Sequence, residues 1–484
     1  METKYYQYIN GKLVEGEGEL MEVYNPNTGE LVGSYKAASV EQVEEALQAA
    51  QEAFKTWQYT SINERNAWMK KLKDACMAPG KREELLDLLF AEAGKSYNDN
   101  VGDYDRCWDY YEYYCEEVKR FLDSGIPDFN SHRDRMYRVM RRPIGVVVGH
   151  LAWNVPIINL GLKLGPVMAT GNTCVLKPST STPLTTMKIA EVAAEIGMPA
   201  GVFNLVSGKS SVIGKYMNES KIPSIITCIG SVPTGVQIMG QASTSIKKLG
   251  LELGGNAPCI IMPDADLDKA VAFISTRKVS QVGQSCGCVN RIFVHEDVHD
   301  AFVEKLVAKV SSFKIGPSKE EPGNIGALID VKSRDRLLQI VNEAVADGAK
   351  VLYGGTIPEL DPKYNGGFMV PTIVDGVKDE MRIAAEELFG PVYPILTFTD
   401  VDDVIERSNS TEFGLSSYAF TYDAKAIGKF FERLDFGRVC INNAPIAGAN
   451  MPHTGHKQSG LGSAYGRESL ENYYSVKLAS IDFN

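Results

Sequence analysis

Apolar and polar residues follow three different rhythms along this chain, and each rhythm predicts a different kind of element. Up to residue 35, short apolar runs are broken by Asn10-Gly11 and Asn25-Pro26-Asn27-Thr28-Gly29, which reads as short strands joined by tight turns. From Ser39, a residue type that caps helices, Val40, Val43, Leu47 and Ala50 recur at helical spacing, and a second helix follows over Ser61 to Cys76. A third runs from Asp103 to Phe121, where Tyr104, Trp108, Tyr111 and Cys115 share one face and read as a packed core stripe. Arg133 to Met140 alternates in polarity and is rich in charge, as an exposed strand that pairs outside its own domain would be.

After Arg142 the rhythm changes. Val146-Val147-Val148, Cys174-Val175-Leu176, Phe203-Asn204-Leu205-Val206, Ile225-Ile226-Thr227 and Leu249-Gly250-Leu251 read as short buried strands, spaced by helical segments such as Leu184 to Ile196. Strands alternating with helices imply a parallel, doubly wound sheet, whose ligands bind beyond the carboxyl ends of the strands. Those ends carry Trp153-Asn154, Lys177-Pro178, Ser207-Gly208, Gly230-Ser231 and Glu252-Leu253-Gly254-Gly255, which outline a site. From Pro258 a second α/β section begins, with strands at Arg291 to Val294, Ser416 to Thr421 and Val439 to Asn442, and helices from Val298 to Phe313 and Ser333 to Val345. The tail, Glu471 to Asp482, reads as a strand at a free edge.

Composition narrows the class without changing this outline. A chain of 484 residues, 44% apolar and 23% charged, is globular and long enough for two or three domains. A net charge of -11 gives no footprint for nucleic acid or an anionic membrane, and no apolar run reaches the ~20 residues that cross a bilayer. The nine cysteines are scattered without framework spacing and without a C-x-x-C pair, so a reducing cytoplasm is expected and a metal is not.

Among those cysteines, Cys286 stands apart. It lies between Gly283 and Gly287, on a backbone that can come close to a substrate, with an N-H able to face the oxygen of whatever the sulfur attacks. A lone cysteine is more often an inert small hydrophobe, so the rest of the chain decides. No Gly-x-Gly-x-x-Gly fingerprint is present, and dinucleotide binding does not follow from glycine spacing.

Read together, Trp153-Asn154-Val155-Pro156, Leu176-Lys177-Pro178, Gly230-Ser231, Leu251-Glu252-Leu253-Gly254-Gly255, Gly283-Gln284-Ser285-Cys286 and Glu387-Leu388-Phe389-Gly390-Pro391 resemble, in identity and order, the motif series of the aldehyde dehydrogenase superfamily. The resemblance covers nearly the whole chain. It implies an α/β fold with two Rossmann-type doubly wound domains and a small β arm for oligomerisation. The cofactor domain would comprise residues 1–123 and 143–253, the catalytic domain 254–466, and the arm 124–142 with 467–484. A homodimer or homotetramer is expected, since arms in the family pair across subunits.

The activity implied is NAD- or NADP-dependent oxidation of an aldehyde to its carboxylate. Cys286 would form a thiohemiacetal whose oxyanion is held by Asn154 and the Cys286 N-H, and Glu252 would activate the water that hydrolyses the resulting thioester. Family members that pass the acyl group to coenzyme A tend to lack the Glu252 carboxylate, so its presence favours water. Trp153, Lys177, Ser179, Thr180, Gly208, Gly230, Ser231, Leu253, Glu387 and Phe389 fall where the family binds its cofactor. NAD-preferring members carry a Glu in place of Thr180; without that carboxylate a 2'-phosphate is not repelled, so NADP is expected to be accepted, with Lys209 near it.

Asn159, Leu162 and His453 fall where the substrate pocket is expected. A histidine at His453 and the pair Cys286 and Cys288 are similar to bacterial lactaldehyde and glycolaldehyde dehydrogenases, and the ring N-H would donate to a substrate hydroxyl or anionic group. The Arg and Glu of that subfamily's pocket are here Leu162 and Ala447. The substrate expected is a small polar or hydroxylated aldehyde. A semialdehyde bearing a carboxylate or sulfonate is the alternative, and a non-catalytic protein that kept the fold is the reading from another class.

Overall fold

Runs with no polar side to turn toward water must be covered on both faces, and that requirement sets the architecture. In the computed structural model, which describes residues 4–121, 124–126, 135–317, 319, 325–443 and 448–483, the buried runs Val146–His150, Thr173–Lys177 and Ile225–Ile229 lie side by side and parallel at the centre of an eight-stranded sheet. Phe203–Leu205 and Lys248–Glu252 extend it in parallel on either side. Gln7–Ile9 and Lys12–Val14 close one edge antiparallel, and Gly460–Leu461 closes the other. The strand order reverses around Val146–His150, with the next strand in sequence on one side and a later one on the other. The crevice of a doubly wound sheet opens at that reversal, where the chain continues into Leu151 to Asn154.

A second, seven-stranded sheet runs Lys350–Tyr353, Thr372–Asp375, Val392–Phe398, Val289–His295, Ala257–Ile261, Ser416–Phe420, Arg438–Ile441, parallel except at its first pair. Sequence periodicity marked only three of these strands; among the others Val392–Phe398 is interrupted by Pro394, and Lys350–Tyr353 and Thr372–Asp375 have only four residues each. The third sheet is Tyr474–Asp482, Arg135–Pro143 and Ser124–Ile126; the charged strand and the tail expected at free edges pair with each other along nine residues. Part of the expected arm, residues 127–134 and 484, lies outside the described residues.

Helix boundaries follow their caps. Val40–Trp57 starts at Ser39 with a full capping box to Gln42, and Ile62–Cys76 starts at Ser61. The tyrosine-rich helix begins earlier than periodicity suggested, at Tyr97, because Ser96 accepts from Asp99 N. Its stripe packs as core: Tyr104, Trp108 and Tyr111 are buried and meet edge to face at 6.1 and 5.7 Å.

That helix also reaches between the two large sheets. Asp103 pairs with Lys95, both 1% exposed, and Lys95 Nζ donates to Asn154 O at 2.8 Å, while Gln281 Nε2 donates to Asp103 Oδ1 at 3.0 Å. A buried ion pair is thus shared by the loop after Val146–His150 and the turn that precedes Cys286. Removing one partner leaves an uncompensated buried charge. Lys95→Met is expected to lower the unfolding free energy in denaturant titration by about 3–5 kcal/mol, with part of the loss recovered in Lys95→Met/Asp103→Leu. Equal stability of the single and double variants would show that the charge itself is not what Asp103 contributes.

Candidate active site

The helix Leu267–Val279 stops where the chain enters three left-handed residues in succession, Gln281 (φ 54°), Val282 (φ 57°) and Gly283 (φ 73°). Only glycine takes such angles without strain, so the turn needs outside anchors. Asp99 supplies two of them, accepting from Gln281 N at 3.0 Å and Ser280 Oγ at 2.9 Å. At Gly283 the fit is closed as well, since a Cβ there would stand 2.4 Å from Gly390 O. The turn delivers Cys286 against Gly255, whose missing Cβ would otherwise meet Cys286 O at 2.3 Å.

Glu252 comes to the same point from the other large sheet. It ends Lys248–Glu252 and is clamped by the loop after His453: Leu253 N donates to Ser459 O at 2.8 Å, and Glu252 pairs with Gly460. The Cys286 thiol donates to Glu252 Oε1 at 2.9 Å; His453 Nε2 lies 3.3 Å from that same oxygen and 4.0 Å from the sulfur. Among the described residues this is the one group of sulfur, carboxylate and imidazole whose donor atoms converge, all within 4.8 Å, as the ligands of a metal ion would. Asn154 is 7% exposed beside them, and its side-chain amide donates to Gln284 O at 2.9 Å, two residues before the sulfur.

Charges in this pocket are set by burial and by each other. Burial, then the Glu252 carboxylate, pushes the Cys286 thiol well above the usual thiol range. For Glu252 burial acts upward, but donation from His453 and Cys286 and the Lys163 charge outweigh it and hold the carboxyl below the ordinary value. His453 is lowered, by burial first and then by the Arg438 charge, and its Nδ1 has no partner. At neutral pH the arrangement is a thiol donating to an ionised carboxylate, which gives the proton a place to go when the sulfur acts as nucleophile.

A cleft of about 410 Å³ runs from Cys286 along the carboxyl edge of the eight-stranded sheet. Trp153, Lys177, Ser179, Gly230, Ser231, Leu253, Glu387 and Phe389 all line it. Ser231 precedes the helix Val232–Ala242, whose free N-H groups suit a phosphate. Lys177 is buried, donates to Pro178 O at 3.2 Å, and is pulled down to about 8 by burial. Glu387 is pushed up to about 7 by burial and accepts from Gly255 N at 2.9 Å, and Gly254 keeps open the space in front of it, where a Cβ would lie 2.7 Å from Glu387 Oε2. A buried cation, a helix N-terminus, a buried carboxylate and a glycine cradle fit a dinucleotide.

Other expected positions fall differently. Thr180 and Gly208 are outside the lining of the cleft; Gly208 packs against Ala37 and Ile213. Lys209 pairs with Glu19 at 2.7 Å on the surface. Asn159 spends its amide on Ala152 O at 3.0 Å, and Leu162 joins an apolar cluster with Tyr110, Ile158 and Ile229. The His453 ring, expected to face the substrate, turns its Nε2 to Glu252. Ala447 lies outside the described residues. His150, Arg336, Tyr110 and Tyr465 join the site without having been marked in the sequence: the first two line the cleft, while Tyr110 and Tyr465 stand edge to face at 5.2 Å beside His453. No local pattern announces them.

Comparison with known proteins accords with this geometry. The sequence pattern described as the aldehyde dehydrogenase family matches residues 13–479. The chain is 36% identical over 475 residues to a glutarate-semialdehyde dehydrogenase of Pseudomonas putida, covering 98% of this chain and 97% of that one. It is 35% identical to the NADP(+) succinate-semialdehyde dehydrogenase of Escherichia coli, covering 98% and 97%. The crystal structure of lactaldehyde dehydrogenase from Escherichia coli superposes with a TM-score of 0.94 at 31% identity over the full length of both chains.

The raised thiol predicts a reactivity profile. With no cofactor present, alkylation of Cys286 by iodoacetamide should keep accelerating past about pH 9 and not level off near neutrality. Glu252→Gln removes the negative neighbour that favours the neutral thiol, so the profile should move to lower pH; a move to higher pH would contradict the assigned electrostatics.

Proposed function

The chain belongs to the aldehyde dehydrogenase family and is an NAD(P)-dependent enzyme that oxidises small aldehydes; from that premise we propose that Cys286 is the nucleophile, Glu252 the general base and Asn154 the oxyanion donor. The observation that carries this reading is the 2.9 Å contact between the Cys286 thiol and Glu252 Oε1, formed by residues from two different sheets. Glu252 takes the thiol proton as the sulfur adds to the aldehyde carbon. Negative charge then grows on the former carbonyl oxygen, and Asn154, whose amide already points at the Cys286 turn, exchanges Gln284 O for that oxygen. A bound nicotinamide supplies the hydride acceptor at this stage. Glu252 then gives the first proton up to solvent and takes another from water; the hydroxide adds to the thioester carbon, the acid product leaves as the C-S bond breaks, and Glu252 returns its proton to the Cys286 thiolate.

For the cofactor, Lys177 and the helix N-terminus at Ser231 would hold phosphate and ribose oxygens, Glu387 would accept from ribose hydroxyls, and the Trp153-Phe389 pair, edge to face at 5.5 Å, would wall the ring. Absence of a carboxylate at Thr180 supports use of NADP alongside NAD. His453 orients and partly charges Glu252 in this reading, a role closer to the base than to the substrate. The aldehyde is small; similarity to glutarate- and succinate-semialdehyde dehydrogenases favours one that carries an acid group at its far end. A cytoplasmic setting is supported by nine free cysteines, and no helix among the described residues is long and apolar enough to cross a membrane.

The domain division 1–123 with 143–253, 254–466, and the arm 124–142 with 467–484 belongs to the same proposal, as does a homodimer or homotetramer. Val476 and Leu478, on one face of the edge strand Tyr474–Asp482, are 70% and 61% exposed, an apolar face that a second subunit would cover.

Rapid mixing of Glu252→Gln with aldehyde and cofactor should give about one equivalent of reduced cofactor per site, then turnover slowed about 10²–10³-fold as deacylation stalls. Cys286→Ala should give neither phase, and steady turnover by Glu252→Gln without a burst would assign the base elsewhere. Light scattering should find the native protein at two or four times the 53.1 kDa chain mass, shifting to monomer in Val476→Asp/Leu478→Asp; an unshifted mass would remove the arm from the interface.

A further inference from the structure

Gly287, the residue after the proposed nucleophile, has no side chain, and two guanidinium groups occupy the space beside it. A Cβ there would stand 3.2 Å from Arg438 Nη2 and 3.5 Å from Arg277 Nη2. Arg277 Nη2 donates to Gly287 O at 3.1 Å, and its Nε is buried with no partner. Arg438 donates from Nε and Nη2 to a single oxygen, Ser416 Oγ, at 3.3 and 3.1 Å.

Neither arginine forms an ion pair with a carboxylate among the described residues, and residues 444–447, outside them, contain no acid. Arg382 is matched with Glu343 and Glu386 and Arg407 with Asp379 and Asp403, while the buried Arg291, which has no carboxylate partner among the described residues, is satisfied by the carbonyls of Arg407, Asn256 and Ser408. Two adjacent, partly buried cations without a counter-ion are unfavourable unless something anionic completes the site.

Their field is felt by the groups that form the wall beyond the sulfur. Arg438 favours the anionic or neutral form of Cys286, His453, Tyr110 and Tyr465 alike. These four are contiguous: the sulfur is 4.0 Å from His453, whose ring stands 5.4 Å from Tyr465, which stands 5.2 Å from Tyr110. None of the three rings lines the cofactor cleft. His453 is taken up by Glu252, Asn159 by Ala152 O, and Leu162 is apolar; none of these three offers an anion a charge, and the guanidinium pair does.

Resting on the function proposed above, we infer that Arg438, backed by Arg277, binds the acidic end of the substrate, and that the aldehyde is a short one ending in a carboxylate or sulfonate. The planar fork of a guanidinium matches either oxyanion in a bidentate pair. Arg277 holds the Gly287 carbonyl and supplies the second charge.

The test compares succinate semialdehyde with butanal, which has the same carbon chain without the acid. In Arg438→Met the ratio of their kcat/KM values should fall at least tenfold, mainly through KM for the acid, and Arg438→Lys should lie between wild type and Arg438→Met. A ratio unchanged within twofold would overturn the inference. A measurement on the wild type guards against a variant that fails to fold: propionate should inhibit butanal oxidation competitively and propionamide should not, and equal behaviour of the two would also overturn it. If the wild type oxidises butanal through Cys286 while these comparisons fail, only the anion site is lost; if it oxidises neither aldehyde, the proposed function fails with it.

Discussion

A run of three left-handed residues, two of them not glycine, is the constraint on which the site depends. Each non-glycine residue in that conformation costs roughly 1–2 kcal/mol, and Val282 is β-branched, so the turn persists only because its surroundings leave it no alternative. Asp99 holds the N-H of Gln281 and the hydroxyl of Ser280, Asp103 holds the Gln281 amide, and Gln284 ties the turn to itself through Gln281 O and to Ile329 N. Released from those anchors, the backbone would relax toward ordinary angles and carry Cys286 away from Glu252.

The anchors also explain why a tyrosine-rich helix from one part of the chain lies against the other. Asp99 and Asp103 are one helical turn apart on the helix Tyr97–Glu117, and the Lys95 ammonium beside Asp103 reaches on to Asn154 O. One helix end therefore fixes both the turn that presents the sulfur and the loop that presents the Asn154 amide. The sulfur and that amide belong to different sheets, so their spacing is held by this bridge and not by either sheet alone.

Electrostatically the site is divided by the sulfur. Toward the cleft lie Lys177 and Glu387, both shifted toward neutrality by burial, which lowers the cost of keeping ionisable groups there before a charged cofactor arrives. At the centre a neutral thiol faces an ionised carboxylate, and the proposed mechanism accordingly forms the nucleophile by proton transfer at the moment of attack. Beside Gly287 two guanidiniums with no carboxylate partner among the described residues add positive charge next to the sulfur, in a protein whose net charge is -11.

Much of this was legible in the chain itself. Ser39 and Ser61 mark helix starts because a hydroxyl at that place satisfies a free N-H, and the apolar runs at 146–148, 174–176 and 225–227 announce a sheet covered on both faces because they leave nothing polar for water. The order of the motifs around Asn154, Glu252 and Cys286, through the family resemblance it carries, marked the groups proposed to react. What the sequence by itself could not determine were the relations between distant segments. His453 read as a substrate contact until folding set its ring against Glu252, and Arg277 and Arg438, 161 positions apart by number, lie in no motif that would mark them. Only the tertiary structure brings both guanidiniums to the bare backbone of Gly287, because the strand Arg438–Ile441 and the helix Leu267–Val279 converge there through packing that no local pattern encodes.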